Sequence, residues 1–209
     1  MEIERLKEVM KEKRSTTSDY HARLGRFWRI SEERDKLHAP LAYAAFEFRI
    51  AMERALLELL YLIKDHHLSK KELEYDFGQL KKALYKTQGQ SKDGKEKLQR
   101  RLEFNSLYAK SLPQPFQPTN KKVAIIDIEK INKFWEKLSR YCHRQLKANN
   151  SWGDIRWVNK GYELLNEVES YVWEIMVDCQ VAWVKPDTIP KQIEEQAKMF
   201  IVKSLVVHA

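Results

Sequence analysis

The residues best suited to chemistry lie in "KLSRYCHRQLKANNSWGD", residues 137–154, where His143 stands among Arg140, Arg144 and Lys147. A histidine near its unperturbed pKa of about 6.5 can take or give the proton of a ribose hydroxyl or a leaving oxygen. Guanidinium and ammonium groups beside it can hold a phosphate and offset the charge developing on it. The chemistry this pattern fits is the binding or cleavage of a phosphodiester. His143 and Arg140 are the catalytic candidates. Lys137, Arg144, Lys147, Asn149 and Asn150 are the candidates for nucleic-acid binding.

Those side chains belong to a helix expected to begin after Asp127 and to break at "NNSWG". With successive residues roughly 100° apart and His143 at zero, Ile131, Phe134, Trp135, Leu138, Tyr141, Cys142 and Leu146 fall within one arc of roughly 160° to 300°. That arc is the face to be buried. Glu136, Arg140, His143 and Lys147 cluster on the other side, so His143 is not a core histidine. The competing structural reading of this polar face is a wet surface on which Glu136 pairs with Arg140 at i,i+4, contributing about 0.2–0.5 kcal/mol.

The elements around this helix are read from the same periodicity, which is helical almost throughout. "SDYHARLGRFWRISEERDKLH" offers Ser18 and Asp19 as caps and places Leu24, Phe27, Trp28 and Ile30 on one side. A long apolar helix follows from Pro40 through "LAYAAFEFRIAMERALLELLYLIKDHH", with core spacing at Phe46, Ile50, Leu57 and Leu60. His66 and His67 end it, where an imidazolium favours the negative end of the dipole. "SKKELEYDFGQLKKALYKTQG" opens with a Ser69/Glu72 capping-box pattern and closes at Gly89. A further helix in "GKEKLQRRLEFNSLYAKS" is followed by "LPQPFQPTN", whose prolines exclude a helix. Asp154 opens "IRWVNKGYELLNEVESYVWEIMVDCQVAW", and Pro186 and Pro190 precede a last amphipathic helix, "KQIEEQAKMFIVKSLVVH".

Composition bounds what such a chain can be. With 209 residues, 43% hydrophobic and 33% charged, it is long enough to bury a sizeable core. Two cysteines, Cys142 and Cys179, are too few for a disulfide framework and suit a reducing cytoplasm. No signal-peptide pattern and no apolar run of about 18 residues is present, so no membrane span is expected. The net charge of +8 is concentrated centrally: residues 70–110 carry 11 basic and 6 acidic side chains, and residues 121–160 carry 10 and 4. Such an excess attracts polyanions, nucleic acid first. There is no Gly-rich phosphate loop, no G-x-S-x-G elbow, no H-E-x-x-H and no cysteine pair at zinc spacing. Nor are there the paired Glu-x-x-His motifs of a di-iron bundle. Neither a metal nor another cofactor is expected.

The helix "AYAAFEFRIAMERALLELLYLI" followed by the one ending in "LSRYCHRQLKANNSW" resembles the HEPN superfamily. These are small all-helical domains of prokaryotic toxin–antitoxin, abortive-infection and CRISPR-associated systems. The resemblance covers roughly residues 39–185 in the order of helices and rests mainly on "LSRYCH" and "FEFR". It implies interaction with RNA. In active members of the family, an Arg, four to six spacer residues and a His form a metal-independent ribonuclease motif, usually completed across a dimer. With His143 as the histidine, the upstream positions are Glu136, Lys137 and Leu138, so the motif is degenerate. Arg14 and His21 satisfy the spacing, across "STTSDY", which reads as a loop and a chance match.

The expected architecture is therefore all-α, an antiparallel helical bundle with peripheral helices. One domain spans 1–209, with a core of about 18–185, and helices 1–14 and 188–208 are peripheral. The expected function is HEPN-like interaction with RNA in a prokaryotic defence or toxin–antitoxin system, with binding ranked ahead of cleavage. The alternative is a non-catalytic helical subunit or antitoxin-like partner that docks on another protein or on a second copy. A third reading has Trp152 and Trp157 stacking the bases of a single strand.

Overall fold

The computed structural model describes residues 17–31, 38–64, 66–87, 94–112, 122–123, 126–142, 155–177, 179–180 and 195. Among them the fold is all-α, with seven helices: α1 (Thr17–Arg29), α2 (Ala39–Ile63), α3 (Lys70–Leu73), α4 (Phe77–Lys86), α5 (Gly94–Ser111), α6 (Ile128–Cys142) and α7 (Ile155–Val172). A π-helical turn, Trp173–Val177, continues α7. The only extended pairing among the described residues is parallel, Lys122–Val123 with Cys179–Gln180. The chain divides into two compact units, Met1–Glu58 with Ile128–Val177, and Leu59–Asp127 with Asp178–Ala209. The expected helices 1–14 and 188–208 lie outside the described residues, apart from Glu195.

In the first unit α1, most of α2, α6 and α7 pack through apolar faces that alternate with charged ones. Residue pairs fix the directions. Ser18 meets Glu58, a Cβ at Gly25 would touch the Phe48 ring, and Trp28 stacks on Tyr43, so α1 and α2 run antiparallel. Arg29 meets Asn166 while Arg26 lies over Trp173, so α1 and α7 also run antiparallel. Tyr141 packs on Trp157 and Phe134 on Tyr171, which gives α6 and α7 the same relation. The core of α2 is built from small and large residues in alternation: Leu41, Ala44, Ala45, Phe48, Ala51, Met52, Ala55 and Leu56 are all buried. Alanines on that face bring neighbouring backbones close, and Phe48 and Met52 fill the space between them.

Several expectations are corrected here. Phe46 is 48% exposed and Ile50 and Leu57 are half-buried; of the four proposed core positions on α2 only Leu60 is buried. Ile30 is likewise 48% exposed. Ser18 is the second residue of α1 and not the residue before its first turn. Its N–H and hydroxyl both donate to the Glu58 carboxylate, at 3.0 and 2.6 Å. The acceptor for this helix start is thus supplied from 40 residues downstream, and burial pushes the Glu58 carboxyl up while the Ser18 bonds pull it back. Helix α2 ends at Ile63 and not at the histidines: His66, at φ 64°, donates its N–H to Tyr61 O at 2.9 Å, closing the helix with a left-handed turn. The segment around Gly89 lies outside the described residues.

In the second unit the segment expected as one helix from Ser69 is split in two. Ser69 caps α3 with the expected box, its Oγ accepting from Glu72 N and the Glu72 carboxylate accepting from Ser69 N. A second box, Asp76 with Gln79, starts α4 three residues after α3 ends. Lys64 donates to Glu72 Oε1 at 2.6 Å. That bond first, and the Ser69 N–H next, hold the Glu72 carboxyl down from 4.5 to about 2. A carboxyl depressed on folding stabilises fully above its unfolded value and loses that contribution as pH falls through the folded one. Wild-type protein is therefore expected to lose stability between pH about 4.5 and about 2 more steeply than a Glu72→Gln variant. Urea midpoints across that window measure it; identical slopes would show that the Lys64–Glu72–Ser69 cluster contributes nothing.

Candidate nucleic-acid interface

Helix α6 follows the wheel drawn from its sequence. Ile128, Ile131, Phe134 and Leu138 are buried, at the 3- and 4-residue spacing of one helix face. Trp135, Tyr141 and Cys142 are half-buried at its margins, while Lys133, Glu136, Lys137 and Arg140 are exposed. Burial pushes the Tyr141 hydroxyl and the Cys142 thiol up from their ordinary values.

The charges on the outer face are not arranged as the structural reading required. Glu136 does not pair with Arg140. It accepts instead from the Asn132 amide at 2.8 Å, one turn in the other direction. Among the described residues Lys133, Lys137 and Arg140 form no ion pair, and at i, i+4 and i+7 they stand in a row along the helix. With a rise of about 1.5 Å per residue the row spans about 10 Å, a length comparable with successive phosphates of an extended strand. Lys130 starts the same row, but its ammonium is held 4.3 Å from the centre of the Tyr171 ring.

Of the residues singled out from sequence, Lys137 and Arg140 are therefore exposed on one face. His143, Arg144, Lys147, Asn149 and Asn150 lie outside the described residues, as does Trp152. Trp157 is half-buried, with its ring 4.6 Å from Tyr141 and 6.4 Å from His38, so it packs the junction of α6 and α7. Arg156 and Lys160 are exposed on the first turns of α7, the end of that helix at which Trp157 meets Tyr141. Reading the helix after Asp154 for its own charges would have found them.

Other polar clusters in this unit bind helices together. His21 Nδ1 lies 2.6 Å from Glu47 Oε2, with both side chains mostly covered, which ties α1 to α2. Residues 17–20 are helical, so most of the "STTSDY" spacer read as a loop is the first turn of α1, and Arg14 lies outside the described residues. Glu169 takes both Arg26 and Arg29. Among the described residues no three His, Cys, Asp or Glu side chains come together as a metal site, and no helix is long and apolar enough to cross a membrane.

Comparison with known proteins adds no relative: no family model, no curated protein and no solved structure matches the chain.

Proposed function

We propose that this is a HEPN-like RNA-interacting protein of a prokaryotic defence or toxin–antitoxin system, acting in the cytoplasm, and that it holds the RNA backbone along the outer face of α6. The observation that carries this reading is the row Lys133, Lys137 and Arg140, exposed and without a carboxylate partner among the described residues. A row of ammonium and guanidinium groups neutralises phosphates and releases their counterions irrespective of base sequence. The charge excess between residues 121 and 160 supports the same reading, as does the resemblance of "LSRYCH" and "FEFR" to the superfamily, whose Arg–His motif is degenerate here. Cleavage is the secondary claim, with His143 as acid–base and Arg140 stabilising charge.

Fluorescence anisotropy of a labelled single-stranded RNA at several salt concentrations tests binding. Three phosphate contacts give a slope of log K against log salt of about −2, at about 0.7 per contact for a single strand. The Lys133→Ala/Lys137→Ala/Arg140→Ala variant should lose nearly all of that slope. An unchanged slope in the variant removes α6 from the interface. Incubation of RNA with the wild type and a His143→Ala variant, in chelator, tests the chemistry: equal cleavage by both excludes His143, and cleavage by neither leaves a binding protein.

A second reading, a non-catalytic subunit docking on another protein or a second copy, is favoured by Tyr43 and Phe46. They are 52% and 48% exposed, one turn apart on α2. Sedimentation of the purified chain, alone and with the products of neighbouring genes, separates the readings, since a monomer that binds RNA and no protein excludes the second.

A further inference from the structure

We infer that the seam between α2 and α6, where Arg49 lies over the Trp135 ring beside Cys142, is a second anion site that receives one phosphate group. The inference takes the source of that phosphate, an RNA strand, from the function proposed above; the site itself rests on Arg49 alone.

Arg49 is half-buried on α2, with its guanidinium carbon 4.2 Å from the centre of the Trp135 ring. It lies beside the Cys142 thiol and offsets part of the upward push that burial gives that group. Its Nε–H is buried and has no hydrogen-bond acceptor among the described residues. Among the described residues no carboxylate pairs with it, whereas Arg26 and Arg29 on α1 share Glu169. Buried N–H groups of cations are ordinarily hydrogen-bonded, so an anion at this seam would supply what the described residues do not. The thiol is a weak acceptor and does not replace one.

The geometry also says which ligand suits. The indole lies against a face of the guanidinium and attracts the cation through the ring quadrupole without neutralising it. The donors of the fork lie in the plane, at the edge the ring does not use. A planar fork held in this way matches two oxygens of one anion, phosphate or carboxylate. Phosphate is favoured because the excess of basic side chains in residues 121–160 raises the local concentration of polyanions over that of isolated carboxylates. On the helical wheel Trp135 and Cys142 lie roughly opposite the Lys133–Arg140 row, so Arg49 is a contact separate from that row.

Trp135 is a built-in reporter. Its emission is followed while the dinucleoside monophosphate UpU, inorganic phosphate or acetate is titrated into the full chain, with thermal melts of every variant in the same buffer. Wild type is expected to give a saturable change with UpU that disappears in Trp135→Phe. Arg49→Gln should weaken UpU at least about tenfold, and Arg49→Lys, which keeps the charge but not the fork, should weaken it several-fold. Lys82→Ala, which removes an exposed cation from α4, controls for net charge and should bind as wild type. If Arg49→Gln does not fold, Arg49→Lys decides.

Wild-type affinity for UpU in a folded Arg49 variant overturns the inference, and so does acetate binding as tightly as phosphate. Anisotropy with oligouridylate separates this outcome from that of the proposed function. Oligonucleotide binding with no Arg49-dependent UpU signal sinks the Arg49 site and leaves the α6 interface. An Arg49-dependent phosphate signal without oligonucleotide binding supports the site, assigns it to free phosphate or nucleotide, and sinks the RNA reading.

Discussion

Replacing Glu169 with alanine is expected to cost about 2–3 kcal/mol of stability, one of the largest single-residue effects in this chain. The Glu169 side chain is only 12% exposed, and its two oxygens are engaged by different arginines: Arg26 Nε at 3.2 Å, and Arg29 Nε. Arg29 also donates from Nη1 to Asn166 Oδ1 at 3.2 Å, so the carboxylate holds one side of a clamp between α1 and α7. Removing it leaves two guanidinium groups without a counter-charge at the seam. Breaking a fully buried pair costs about 3–5 kcal/mol. The lower figure applies because Arg26 is 44% exposed and can rehydrate, while Arg29, at 19%, largely cannot. The Arg26 and Arg23 guanidiniums, 4.4 and 5.6 Å from the Trp173 ring centre, partly retain that second contact. Urea denaturation followed by circular dichroism measures the loss. Adding Arg29→Met to Glu169→Ala should restore part of it, because it deletes the stranded charge. A loss below about 0.5 kcal/mol would class the clamp with ordinary surface ion pairs.

How legible such features are in the sequence depends on which interaction sets them. The buried and exposed faces of α6 were readable, because Ile131, Phe134 and Leu138 recur at the helical period with charges between them. The partner of Glu136 was not, since Asn132 and Arg140 are both one turn away and nothing in the spacing chooses between them. On α2 the periodicity misled. That helix is apolar almost all round, so Phe46 and Phe48 are equal candidates for the core, and the decision falls to the alanines, whose small size is a packing signal and not a hydrophobic one. The division of residues 69–89 is written in the sequence, since Asp76-x-x-Gln79 is a second capping box inside an otherwise continuous helical pattern. Ser18, expected as a cap, stands inside the first turn of α1, and its acceptor, Glu58, is 40 positions away, of which local rules say nothing. Arg49 was hidden for a related reason. It stands in "FEFR", quoted for a resemblance, and only tertiary packing brings it to Trp135 and Cys142.

The second large effect is expected at Gly161. A glycine inside a helix costs about 1 kcal/mol relative to alanine, so an alanine substitution on α7 starts with that advantage. Here it should not keep it. A Cβ at Gly161 would lie 2.8 Å from both methyl carbons of Leu41 and from Tyr141 Cε1, closer than carbon atoms approach without displacement. Leu41 is 1% exposed and has no room to turn aside, and the Tyr141 ring is packed 4.6 Å from Trp157. Overpacking of this kind costs about 1–3 kcal/mol, so Gly161→Ala should lose about 1 kcal/mol net and Gly161→Val, with two further methyls and poorer helix propensity, about 3 kcal/mol. The loss has a consequence beyond stability. At Gly161 side chains of α2 and α6, Leu41 and Tyr141, both press on α7, and Tyr141 immediately precedes Cys142, which lies beside Arg49. Displacing Tyr141 should therefore disturb the end of α6 that carries Arg140 more than the part carrying Lys133. A folded Gly161→Ala protein is expected to keep some salt-dependent RNA affinity while the Arg49-dependent emission change weakens. Urea midpoints and the two titrations on the same preparation check this. A Gly161→Ala variant more stable than wild type would mean that Leu41 and Tyr141 yield easily, and that their contact with α7 is not what holds α6 in place.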